Sequence, residues 1–176
     1  SVSQTHGVLT KTDKSGNILW ETELPNAVFK SLAINADGYF AVGDSIKINA
    51  SDTIPVSDLV ISSLMLYKVN TAGTLVDKLV IADDQSEENY TDIRGNALNF
   101  NSNNQLIVLG TNEAGGVQTT IKPFVAAINP TTLDIEWKQD YTIITRDYIN
   151  SKSVIPTASG HVVWASGILR DQGNFS

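Results

Sequence analysis

The sequence predicts an all-β chain built from repeated four-stranded antiparallel units, and three observations carry that prediction. Turn-forming Asn, Asp, Ser, Thr and Gly recur at short intervals, and Leu-, Glu- and Lys-rich stretches with helical periodicity are missing. Between the turns, apolar residues alternate in short runs, the pattern of strands. Two kinds of hairpin then alternate along the chain, each occurring three times.

The first kind covers residues 8–20, 66–76 and 125–137. In each, an apolar strand runs into Asp13, Asn70 or Asn129, a tight turn follows, and a second strand leaves. Asp and Asn suit that place because their side chains accept hydrogen bonds from backbone amides two residues on. The three residues are 57 and 59 positions apart. The second kind covers residues 31–43, 97–110 and 153–167, with Asp37-Gly38, Asn103-Asn104 and Ser159-Gly160 as turn dipeptides. Gly43, Gly110 and Gly167 close these segments at intervals of 67 and 57, the longer one reflecting extra residues around 48–57.

One hairpin of each kind makes a four-stranded antiparallel unit. A parallel sheet would need crossovers of about a dozen residues, and none is legible. Four strands per repeat at this period point to the blades of a β-propeller, whereas a sandwich of unrelated strands would not repeat matched hairpins. With strands A to D counted outward from the axis, residues 6–24 supply C and D, and 28–82 a full blade. Residues 92–142 supply a second blade and 149–168 strands A and B of a third. Closed propellers have about four to eight blades. The expectation is therefore an incomplete ring, about three blades' worth, with the remaining blades in the same or another chain.

The stretch Ala127-Ile128-Asn129-Pro130-Thr131-Thr132-Leu133-Asp134-Ile135-Glu136-Trp137 resembles the tryptophan-docking repeat of pyrroloquinoline-quinone-like propellers. Asn129 stands where Asp is usual, and Leu133 where Gly is usual. Thr12-Asp13-Lys14-Ser15-Gly16-Asn17-Ile18-Leu19-Trp20 is similar with a loop one residue shorter. It also resembles the Lys-x-Asp-x-x-Gly-Asn-x-x-Trp repeats of bacterial secreted and surface propellers. The central hairpin departs, with Asp77 at the tryptophan position. The resemblance implies that Trp20 and Trp137 pack between neighbouring blades. It does not imply quinone chemistry, which in that family goes with adjacent cysteines, and this chain has none. It implies an exported protein, in the periplasm, on the outer-membrane surface or outside the cell.

The chain carries a net charge of −7, and its 12 Lys and Arg residues are scattered, so phosphate neutralisation of a nucleic acid is not expected. No apolar run is long enough to insert into a membrane. The absence of cysteine excludes disulfides and thiolate metal sites. Among catalytic signatures, neither Gly-x-Ser-x-Gly nor His-Glu-x-x-His is present. No cofactor is expected beyond calcium. Residues 83–92 hold five carboxylates and no Lys or Arg, and Asp83, Asp84, Glu87 and Glu88 are the candidate oxygen ligands. Their spacing fits no EF-hand, and a solvated acidic loop explains the same run.

In such a blade the D-to-A and B-to-C connections share one end. Here they are the long ones, 83–92, 139–148, 46–58 and 111–122, and long loops on a rigid frame are where binding concentrates. Tyr90, Asp92, Tyr141, Arg146, Asp147 and Tyr148 supply aromatic rings and charge at that end. The sequence thus points to a non-catalytic scaffold or binding module for a protein or glycan. One alternative is a piece of a polysaccharide-acting enzyme whose site lies partly on missing blades. Another is an envelope-assembly component completed by another chain.

Overall fold

The computed structural model describes residues 6–47, 60–83, 91–114, 120–141, 143–144 and 148–169, and within these every regular element is a β-strand. The strands are β1 (His6–Thr12), β2 (Ile18–Pro25), β3 (Ala27–Asn35), β4 (Gly38–Lys47), β5 (Val60–Val69), β6 (Leu75–Asp83), β7 (Thr91–Phe100), β8 (Leu106–Ala114), β9 (Thr120–Ile128), β10 (Ile135–Asp140), β11 (Ile143–Ile144), β12 (Tyr148–Pro156) and β13 (Val162–Leu169). They form four antiparallel sheets ordered β1-β2, β3-β4-β5-β6, β7-β8-β9-β10 and β12-β13, with β11 also paired to β9. The all-β, repeated antiparallel architecture agrees with the expectation from sequence. The described strands do not form a closed ring.

Register makes the repeat explicit. The β3–β4, β7–β8 and β12–β13 hairpins each carry a bulge at the same place, at Phe29/Ser31, Gly95/Ala97 and Ser151/Ser153. Their partners across the bulge are Gly43, Gly110 and Ser166, so Ser166 rather than Gly167 is the third equivalent. The turn dipeptides behave as their composition requires: Gly38, Asn104 and Gly160 all adopt positive φ. In the other hairpin kind, Asp13 N–H donates to Asn17 O at 2.9 Å, and Asn70 N–H to Thr74 O at 2.9 Å. The third such turn is one residue longer, closed from Asn129 to Asp134, and Leu133 takes the positive φ where the shorter turns have glycine. The Asp13 carboxylate accepts from the Asn17 side-chain amide and from the Asn17 and Ser15 amides. Those bonds hold its pKa below the usual carboxylate value, with the Asn17 side chain contributing most.

Three interfaces hold the sheets together, and each sheet uses alternate residues for its two sides. Phe40, Val42, Leu64 and Leu66 of the second sheet pack on Leu98, Leu106, Val108, Phe124 and Ala126 of the third. The third sheet's other face, including Ile107, Leu109 and Val125, packs on Val154, with Val162 and Trp164 against it. Toward the first sheet, Met65, Tyr67 and Ala41 join Leu24 and Leu9. Middle strands are therefore buried on both faces, which explains unbroken apolar runs such as Leu106-Ile107-Val108-Leu109. Each large side chain so buried contributes about 1.5–3 kcal/mol. The outer strand β10 is exposed along its whole length.

The first strands β3, β7 and β12 of successive sheets lie side by side. Ser31 Oγ accepts from Leu98 N–H at 3.2 Å, and Asn99 Nδ2 donates to the Val154 carbonyl at 3.4 Å. Strand bounds fall within a few residues of the expected blade segments. Two connections are shorter than expected: β8 and β9 extend to Ala114 and from Thr120, shrinking the 111–122 loop, and Asn26 alone (φ 57°) links β2 to β3. Part of the expected 139–148 loop is strand β11.

Candidate functional site

The antiparallel strand order puts the ends of β4, β6 and β8 at the same end of their sheets as the starts of β5, β7 and β9, and the connections between them lie largely outside the described residues. Of the candidate binding residues, Asp92 lies on β7 opposite Glu113, and Tyr148 opens β12 opposite Leu169. Tyr90, Arg146 and Asp147 lie outside the described residues, as do the candidate calcium ligands Asp84, Glu87 and Glu88. Asp83 ends β6 opposite Ser63. Among the described residues no group of three His, Asp or Glu side chains could hold a metal ion.

Tyr141 is the candidate for which contacts to other described residues are shown. Its N–H donates to Pro123 O at 2.8 Å, which fixes the backbone just as it leaves β10. Its ring lies 5.7 Å from that of Trp164, tilted by 45°, and the residue stays 39% exposed. Trp164 is itself held against the Ile107, Leu109 and Val125 face. The pair is thus an aromatic surface anchored on the core and open on one side. On the opposite face of the third sheet, toward the second, Lys138 Nζ stands 4.3 Å from the centre of the Phe124 ring.

The same end contains a buried charge that the strand pattern hid. Asp44, 1% exposed on β4, accepts from Gly95 N–H across the sheet interface at 2.9 Å, and its other oxygen stands 3.5 Å from Lys30 Nζ. Lys30 is the extra residue of the β3 bulge, and a bulge re-aims a side chain in this way. Burial pushes the Tyr67 phenol pKa up, and the Asp44 charge pushes it further. Both Asp44 oxygens are thus committed to groups of the protein, which makes the residue a staple between sheets. The one sequence signal for it was an acidic residue continuing the apolar run Phe40-Ala41-Val42-Gly43.

Trp20 packs against the Asn70 turn of the second sheet. Its Nε1 donates to Thr71 O at 3.2 Å, Thr22 Oγ1 donates to Gly73 O, and its ring meets Tyr39 edge-on at 5.2 Å. At the next interface Asp77 holds the tryptophan position, and Lys68 takes over: its Nζ donates to Pro130 O at 2.8 Å. Thr71 and Pro130 each follow the Asn that opens a turn, so both donors reach the same backbone carbonyl. Trp137 occupies the equivalent place on β10 and is 41% exposed. His161 closes its turn through Thr157 N–H and sits 2.9 Å from Ser159 Oγ. No family model, no curated protein and no solved structure matches the chain.

Proposed function

We propose that the chain is part of a β-propeller and works as a scaffold or binding module of an exported bacterial protein, engaging a protein or glycan at its long-connection end. The propeller reading is supported by the bulged hairpins in matching register and by the side-by-side first strands β3, β7 and β12. One observation carries the binding reading: the Tyr141 ring is held by Trp164 yet remains open at the end with the long connections. A ring already fixed offers apolar area with little entropy left to lose, which suits a sugar face or an apolar protein anchor. Rigid frames with variable loops commonly serve as such modules, although a fold does not dictate its ligand.

The test is photo-crosslinking from Tyr141 and, in parallel, from Ser15 in the tight turn at the opposite end, in envelope extracts and on a polysaccharide panel. Adducts at Tyr141 that disappear in the Trp164→Ala background are expected. Adducts confined to Ser15 would overturn the proposal.

A further inference from the structure

We infer that Ser159, in the turn between β12 and β13, is a nucleophile that takes up acyl groups from activated esters, with His161 as its general base. The inference stands on this turn alone and is independent of the propeller reading. In five of the six tight hairpin turns among the described residues, an Asp or Asn comes first. Its side-chain oxygen accepts the amide two residues on: Ser15, Asp37, Ala72, Asn103 and Thr131 N–H in turn. The sixth turn, 157–161, opens on Thr157, and there the side chains bond one another instead. Thr157 Oγ1 lies 3.0 Å from Ser159 Oγ, which lies 2.9 Å from His161 Nδ1.

The first turn of the chain is a natural control. Asp13-Lys14-Ser15-Gly16-Asn17 and Thr157-Ala158-Ser159-Gly160-His161 carry Ser-Gly at the same two places. Their backbones agree: the first N–H donates to the fifth carbonyl at 2.9 and 2.7 Å, and Gly16 and Gly160 have φ of 86° and 84°. At Ser15 the amide is held by Asp13 at 2.7 Å, and the Asn17 side chain is turned to the same carboxylate at 2.9 Å. No base is left for the Ser15 hydroxyl. The Ser159 hydroxyl instead faces an imidazole nitrogen at the separation of an activated nucleophile and its base, about 2.6–3.2 Å. With the ring proton on Nε2, Nδ1 accepts from Ser159 O–H. The single hydroxyl proton of Thr157 reaches Ser159 Oγ, as well as His161 O at 3.1 Å. Donated to Ser159, it stabilises the charge that develops on Oγ. Among the described residues Ser159 N–H has no acceptor, so it is open to an incoming carbonyl oxygen. Ser159 and His161 are both exposed, and an acyl donor can approach them. A neutral ester suits a chain of net charge −7 better than a polyanionic phosphoryl donor does.

In the step, Ser159 Oγ bonds to the acyl carbon and that carbon's bond to the leaving oxygen breaks. The hydroxyl proton passes to His161 Nδ1 and from there to solvent. The probe is p-nitrophenyl acetate, which releases p-nitrophenolate, with the acetylated residues of the full chain located by peptide mass spectrometry. Ser159 should acetylate about 10²-fold faster than Ser15, the low end for a positioned base, since no carboxylate orients His161 among the described residues. His161→Asn installs the residue that the first turn already holds in this geometry, and it should bring Ser159 down to the Ser15 rate. The double variant Asp13→Thr, Asn17→His should raise Ser15 toward the rate of Ser159. Equal rates at the two serines, Ser159 labelling indifferent to His161→Asn, acetyl groups on lysines only, or a transplanted turn without effect would each overturn the inference.

Discussion

The interface between the second and third sheets and the outer faces of the stack are built from equivalent positions in different surroundings. Leu98 of β7 is 6% exposed, and its equivalent Leu32 of β3 is 54% exposed. Phe40 and Ile107 are fully buried, while Val163, at the same place on β13, is 58% exposed. The strands themselves do not differ in kind: both hairpins carry the same bulge and a positive-φ turn residue. What differs is whether another sheet lies against them. Apolar character along a strand thus does not decide burial by itself, and burial follows whether another described sheet lies against that face.

The largest expected contrast is Leu98→Ala against Leu32→Ala. The first should cost about 2–5 kcal/mol in urea unfolding. The second should cost under about 1 kcal/mol, since surface changes are usually small. Equal costs would show that Leu32 is covered in solution and would break the comparison.

Next comes Gly73→Ala against Gly16→Ala. Both force a side chain to positive φ, about 1–2 kcal/mol. Only Gly73 also collides with Trp20, adding about 1–3 kcal/mol. Trp20→Ala should remove that excess in a double-mutant cycle, and a cycle without coupling would mean that the indole is not docked.

A smaller effect, about 1 kcal/mol, is expected for Lys68→Met, which leaves Pro130 O without its donor while keeping the aliphatic stem. The smallest concerns pH. Because Tyr67 is held above its ordinary phenol pKa of about 10, its contribution is fully present below that value and is lost as pH rises through the folded-state pKa. Tyr67→Phe should therefore flatten the alkaline fall in stability, and Asp44→Asn should flatten part of it. An unchanged profile would remove the buried phenol from the account.

The hairpins, their turns and the antiparallel pairing were legible because each depends on a local rule, such as an Asx turn at Asn70 or alternation along β3. Less visible were features set by other strands. Lys68 reads as a solvated lysine until the Pro130 carbonyl is brought to it. Asp44 reads as the start of a loop until β7 delivers the Gly95 amide. Strand β11 is two residues long and exists because β9 extends past β10. Of the candidate site, Tyr141 was legible as an aromatic in a connection, but its partner Trp164 was not, since Trp164 sits mid-strand among apolar residues and reads as core.

The carbonyl that follows each Asn has a consequence for how such a chain can change. A socket made from the main chain persists whatever side chain the turn carries, here threonine in one case and proline in the other. The donor opposite is equally free to be an indole or an ammonium. Neighbouring repeats therefore need not co-vary residue for residue, and a duplicated or transposed repeat would arrive with a joint that already works.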